Sequence, residues 1–210
     1  MDHRSFILIL SGFLHFYVGG FVLARNPRGP MHRALFMAAL WLGLRAILAA
    51  MIWHPIFGLN LLITGRLAHA ISLFSCMGLL LLGLVFPTGK RHVSRLTHDA
   101  IWIIGVMIAV PVVVSPLMIT DVELHGVGIT ATYGPLQFPY FIYILVCLFW
   151  VIYDLTQRYR RARGTARLQM GYMLAGIALT VLLNIPPNIV GPMHWATRVA
   201  CQDEPPDVKM

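Results

Sequence analysis

The sequence is poor in charged side chains: Asp, Glu, Lys and Arg make up 11% of its 210 residues, whereas hydrophobic residues make up 58%. A soluble domain carries about 25% charged residues, so this chain has too few charges to cover a water-facing surface. A formal net charge of +8 would indicate nucleic-acid binding only if it formed a basic patch on a soluble fold. The basic residues instead lie in short gaps between apolar stretches, so a nucleic-acid partner is excluded.

The sequence also lacks the residues that several kinds of functional site require. Cys76, Cys147 and Cys201 show neither metal-type pairing nor a disulfide framework. Lys90 and Lys209 are the only lysines, and neither lies within an apolar stretch, which excludes a retinal Schiff base. The eight acidic residues lie at the ends of the apolar stretches or between them, which argues against a proton-coupled carrier. The sequence contains no Gly-rich phosphate loop and no nucleophile elbow. We therefore expect a protein that is not an enzyme and has no metal site.

Six apolar stretches dominate what is present, and each is about as long as a helix that crosses a hydrocarbon core of about 30 Å. We predict an all-α, polytopic integral membrane protein of the bacterial inner membrane. Residues 1–193 would form a six-helix bundle, and residues 194–210 a polar tail. The predicted spans are Ser5–Ala24, Arg33–Trp53, Gly65–Pro87, Asp99–Ile119, Phe138–Thr156 and Leu168 to about Met193.

The basic residues predict the orientation of the spans. Eleven of the sixteen lie in the gaps after spans one, three and five or, in the case of Arg33, at the edge of such a gap. Because Lys and Arg accumulate in cytoplasmic loops, these gaps are predicted to be cytoplasmic and both termini to lie outside. The gap from Thr120 to Gln137 contains no Lys or Arg and is predicted to be an outer loop.

Small residues and prolines give further expectations. Ala39, Gly43, Ala46 and Ala50 fall on one face of span two, which would let another helix approach closely. Prolines should kink or break two of the spans. The prolines concerned are Pro111 and Pro116 in span four, and Pro186 and Pro187 in span six.

Few polar side chains lie inside the spans. Arg45 lies about midway along span two, with no carboxylate at its depth, where an unpaired charge costs several kcal/mol. It would snorkel, bond to neighbouring helices or to Asn184, or bind an anionic lipid or ligand. Asn184 and Asn188 flank two prolines and could satisfy the freed carbonyls or line a ligand pocket.

His15 and His69 are candidate cofactor ligands, because a neutral imidazole can bind a haem iron or a chlorophyll magnesium. Neither lies in a recognisable motif. Hydrogen bonding between helices is the commoner use of such residues, so we expect no cofactor apart from bound lipid, with haem or chlorophyll as an alternative.

Three segments resemble a known family. They are RNPRGPMHRALFMAALWLGL at the entry to span two, LVFPTGKR at the exit of span three, and RARGTARLQMGYMLAGIALTVLLNIPPN across span six. Together they resemble the N-terminal seven-helix membrane region of bacterial sensor histidine kinases, over roughly Ser5 to Gly191. In that family the matching features are a Trp in the second helix (Trp41), an F-P-x-G-like exit (Phe86, Pro87, Gly89) and an R-x-Q start (Arg167, Gln169). The resemblance implies the fold. After Pro192 the sequence becomes polar, so we expect no seventh helix and no kinase.

Three functions remain open. The first is a non-enzymatic accessory subunit that docks on a larger membrane complex. We expect this complex to be an electron-transfer assembly, photosynthetic or respiratory. The second, which follows from the resemblance, is a sensor that binds a small ligand and signals through a separate protein. The third is a haem or chlorophyll carrier. The expected partners are membrane lipids and other membrane-protein subunits.

The accessory-subunit hypothesis depends on the tail, which has no core of its own and would need a partner to become ordered. The outer loop and the tail together make the outer face acidic, and this face would suit a basic partner surface. The partner-binding residues predicted there are Asp121, Glu123, Trp195, Asp203, Glu204 and Asp207.

Overall fold

The computed structural model describes residues 3–53, 60–87, 94–125 and 128–179. Its elements, in chain order, are α1 (His3–Arg25), α2 (Pro30–Trp53), α3 (Leu61–Val85), α4 (Arg95–Val114), β1 (Ile119–His125), β2 (Gly128–Tyr133) and α5 (Gln137–Arg161). A further helix, α6, covers residues 164–179, where the described part ends. Helices α1 to α5 are each long and apolar enough to cross a membrane. The predicted polytopic helical membrane fold is therefore confirmed, while the sidedness of the termini stays a prediction.

Side-chain caps fix two of the helix starts. The Asn60 side chain accepts a hydrogen bond from the Leu62 N–H (2.9 Å) at the start of α3. Ser94 accepts one from the Thr97 N–H (3.1 Å) at the start of α4. Each cap satisfies an N–H group that has no partner within the helix.

Span four was predicted to run to Ile119, and this boundary is wrong. Helix α4 continues through Pro111 and ends at Val114, with Ser115 in an extended conformation (φ −122°, ψ 159°). Ser115 precedes Pro116, and a residue before proline is driven out of the helical region. The helix thus ends ahead of its second proline.

The segment from Thr120 to Gln137 was predicted to be a loop, and this prediction is wrong for most of its length. Strands β1 and β2 form an antiparallel hairpin there. Val122 pairs with Ala131, and Asp121 with Thr132. The sequences of the two strands, ITDVELH and GITATY, contain several of the β-branched residues that favour strands.

Helix α2 packs between α1 and α3, and small residues bring the helices close together. A Cβ atom added to Gly43 would lie 2.9 Å from the carbonyl oxygen of Gly12 on α1, and one added to Gly78 on α3 would lie 3.0 Å from the Ala38 Cα. The small-residue face predicted on span two is therefore used within the molecule, at least at Ala39 and Gly43, which both contact α1.

Helix α3 is the most buried of the spans. It contributes many fully buried side chains, whereas α1 buries only Ser5, Gly12 and Gly19. At the hairpin end, Leu73 of α3, Val112 of α4 and Tyr140 of α5 form one core with Met118 and Ile119. The hairpin is thus built into the end of the bundle through its own apolar residues.

The described residues from Arg158 onward belong to a second compact unit. In its described part, the last turn of α5 carries three arginines that sequence analysis placed in a loop. Gly164 has a φ of 60°, a left-handed conformation that glycine adopts readily, and stands where α6 begins. The guanidinium of Arg167 lies 5.0 Å from the centre of the Tyr159 ring.

Candidate functional site

A hydrogen-bonded pair of polar side chains, Arg45 and Ser72, links α2 to α3 inside the bundle. The Arg45 Nε atom donates a hydrogen bond to the Ser72 Oγ atom at 2.8 Å, and that hydroxyl donates to the Ala68 carbonyl oxygen of its own helix at 2.8 Å. The two terminal nitrogens of Arg45 make no hydrogen bond to any residue in the described ranges. Four N–H groups of a guanidinium therefore remain available inside the membrane.

His69 lies next to this pair, between two tyrosines. Its ring centre is 5.9 Å from that of Tyr133 on β2 and 5.7 Å from that of Tyr140 on α5. The His69 Nδ1 atom lies 2.9 Å from the Gly65 carbonyl oxygen. Because a carbonyl oxygen only accepts, Nδ1 carries a proton. The Tyr140 hydroxyl reaches back to the His69 carbonyl oxygen at 3.3 Å, so α3 and α5 are joined here.

Arg66 connects α3 to the hairpin. Its Nε and one terminal nitrogen both donate to the Ile119 carbonyl oxygen, at 3.1 and 2.8 Å. Tyr133 on the second strand is largely enclosed, and burial raises the pKa of its hydroxyl. Arg45, Arg66, His69, Ser72, Tyr133 and Tyr140 together are called the hairpin-end cluster below.

The hairpin-end cluster contains two arginines and no carboxylate among the side chains that the structure describes. Asp121, on β1, is exposed, and its Oδ1 atom accepts from the Val122 N–H at 2.8 Å. Asp99 and Asp154 belong to parts of α4 and α5 distant from the hairpin. The cluster therefore attracts anions.

His15 lies elsewhere. Its Nδ1 atom is 2.7 Å from the Ser11 carbonyl oxygen, and its ring lines an apolar groove of about 260 Å³. The groove lies between α1, α2 and α3, and its lining residues are Leu14, His15, Val18, Leu35, Ala38, Ala39, Leu42, Leu79 and Leu82. This cavity is called the α1–α3 groove below.

The two candidate cofactor ligands therefore have different surroundings. His15 lines the groove, whose α3 wall is Leu79 and Leu82, whereas His69 lies ten residues before Leu79 on α3 and contacts Tyr133 and Tyr140. No group of three or more potential metal ligands occurs in the described part of the chain. Ligation of haem or chlorophyll stays a prediction.

The remaining predicted site residues divide into two groups. Asp121 and Glu123 both lie on β1, although the side chain of Glu123 falls outside what the structure describes. Residues beyond 179 also lie outside it. These are Asn184, Asn188, Trp195, Asp203, Glu204 and Asp207, together with the prolines of span six.

A match to a family model identifies the family of this chain. Residues 7–193 match the family model described as the N-terminal 7TM region of histidine kinase. The chain belongs to this family. No curated protein and no solved structure matches it significantly. Membership confirms the resemblance seen in the sequence, and it favours the sensor hypothesis over the accessory subunit of an electron-transfer complex. It also agrees with the multi-pass membrane fold.

Sequence analysis missed four members of the hairpin-end cluster. Ser72, three residues after His69 on α3, was not considered because a lone serine in a membrane helix has an ordinary use, bonding to its own backbone. Arg66, Tyr133 and Tyr140 were not predicted as site residues either. Their spacing held a signal, since Arg66, His69 and Ser72 recur every three residues along one helix.

Proposed function

We propose that this chain is the non-enzymatic membrane sensor of a bacterial signalling system, located in the inner membrane with its hairpin on the outer side. It passes its signal to a histidine kinase outside these 210 residues. Family membership carries the proposal. The hairpin-end cluster adds support because it joins α2, α3, α5 and the hairpin through polar contacts.

The arrangement suits a sensor for a physical reason. A buried polar network can adopt discrete arrangements, and a ligand that binds one of them more tightly shifts the population toward it. Arg45 holds α2 to α3 with one hydrogen bond and leaves its other donors available. A ligand on those donors would change the relation between the two helices.

Purification of the tagged chain from its native membranes tests this function. A protein with a histidine-kinase domain should be recovered in stoichiometric amount, as part of the same polypeptide or as a separate one. In the same membranes, the Arg45→Gln variant should change autophosphorylation of that kinase, while Leu96→Ala, at an exposed position of α4, should not. Recovery of an electron-transfer complex without a kinase would support the accessory-subunit hypothesis instead.

A further inference from the structure

The α1–α3 groove leads toward Arg45. On α2 the groove is lined by Leu35, Ala38, Ala39 and Leu42, and Arg45 lies three residues beyond Leu42. Residues three, four and seven apart share a face of a helix. On α3, Ser72 lies seven residues from the lining residue Leu79. The Arg45–Ser72 pair thus stands about one turn beyond the groove on α2 and about two turns beyond it on α3.

The groove and the pair differ sharply in polarity. The groove wall consists of aliphatic side chains apart from His15, whereas the pair presents unused guanidinium donors. Trp41, one turn from Arg45 on α2, has a buried indole N–H with no partner among the described residues. Two kinds of donor without a partner among the described residues therefore lie beside or just beyond the apolar groove.

These features fit an amphiphile with an anionic head. From Leu35 to Arg45 is ten residues of α2, or about 15 Å, which gives the length available to a single chain. The volume of about 260 Å³ is just below the roughly 300–1,000 Å³ of ordinary ligand pockets, too small for two acyl chains. Arginine donors match a carboxylate in a two-point bond.

We propose that the chain binds a single-chain fatty acid, with its carboxylate on Arg45 and its hydrocarbon chain in the α1–α3 groove. The proposal deepens the proposed sensor function by naming the ligand class. Charge complementarity selects the ligand, because every lipid can fill an apolar groove but only an anion offsets the cost of Arg45 in the bilayer.

Photolabelling of the full chain in phosphatidylcholine nanodiscs tests the proposal. The probe is laurate that carries a diazirine near its methyl end. Labelled residues should belong to the groove wall at the Leu35 and Leu82 end, and unlabelled laurate should compete. The Arg45→Gln variant should lose at least about tenfold in affinity, the effect of removing one charge-assisted hydrogen bond, while Arg45→Lys should retain part of it.

Matched variants separate binding from folding. Val18→Trp should block the groove from its α1 wall without touching Arg45, whereas Tyr17→Trp, at an exposed position that does not line the groove, should label like the wild type.

Three results would overturn the proposal: undiminished labelling of Arg45→Gln, equal labelling by the methyl ester of the probe, or displacement by phosphatidylglycerol but not by laurate, which would make the ligand a bilayer lipid. Labelling is measured without any kinase. Laurate binding that leaves kinase phosphorylation unaltered would therefore contradict the sensor function and not the binding site.

Discussion

Two adjacent glycines of α1 allow a sharp test of the packing between α1 and α2. A Cβ atom added to Gly19 would lie 2.8 Å from the Ala39 Cβ atom, whereas one added to Gly20 would meet nothing within 4 Å. Carbon atoms in contact normally lie about 3.5–4.0 Å apart. The Gly19→Ala substitution must therefore separate the helices by about 1 Å, and such overpacking costs about 1–3 kcal/mol.

The comparison removes other contributions. Both substitutions gain the same helix propensity, about 1 kcal/mol, so their difference reports the contact alone. We expect Gly19→Ala to be less stable than Gly20→Ala by about 2 kcal/mol, or about thirtyfold in the unfolding equilibrium. Helix association in lipid depends on this close approach, because it has no hydrophobic driving force.

Steric trapping of the doubly biotinylated chain in bicelles measures the free energy of unfolding for both variants. Equal stabilities, within about 0.5 kcal/mol as for surface substitutions, would show that α1 does not pack on α2 at Gly19.

Three further predictions concern the two ends of the bundle. In intact cells, Cys201 should react with a membrane-impermeant thiol reagent and a Thr165→Cys variant should not; the reverse pattern would invert the predicted orientation. Arg66→Gln removes both hydrogen bonds to the Ile119 carbonyl, so hydrogen exchange of the hairpin should quicken, and unchanged exchange would refute its anchoring role. Because burial raises the pKa of Tyr133, the folded hairpin holds this proton more tightly than the unfolded chain. The stability of the hairpin should therefore fall above about pH 10. The difference in absorbance between the wild type and the Tyr133→Phe variant should show the tyrosinate of Tyr133 only at a pH above the ordinary pKa of tyrosine.

The sequence alone was sufficient for the first five spans and their order, whereas the predicted sixth span extends beyond the described residues. A bilayer forces every backbone polar group to be satisfied within its own segment, so length and apolar content determine the helices. Their ends were less accurate, because caps and prolines decide them locally. The predicted end of span four shows this, since Ser115 precedes a proline and stops the helix before the apolar residues run out.

The hairpin was missed for a different reason. Its strands belong to a gap between two apolar spans, where the prediction used only the charges: the absence of Lys and Arg, and the presence of Asp121 and Glu123. The signal was available, because VEL and ITATY hold β-branched residues and are separated by four residues that include two glycines, a spacing that is typical of a hairpin. Whether such a hairpin packs on the bundle depends on side chains from α3, α4 and α5, which the sequence does not bring together.

The hairpin-end cluster shows why α3 is suited to pass on a signal. Arg66, His69 and Ser72 wind along one stretch of this helix, and each meets a different neighbour: the hairpin, Tyr140 of α5 and Arg45 of α2. A shift of α3 relative to any one neighbour must strain the contacts with the other two, because packed interiors transmit displacement. In the proposed sensor, a carboxylate bound to the free donors of Arg45 would weaken its hydrogen bond to Ser72, and a resulting shift of α3 would change the contact between His69 and Tyr140.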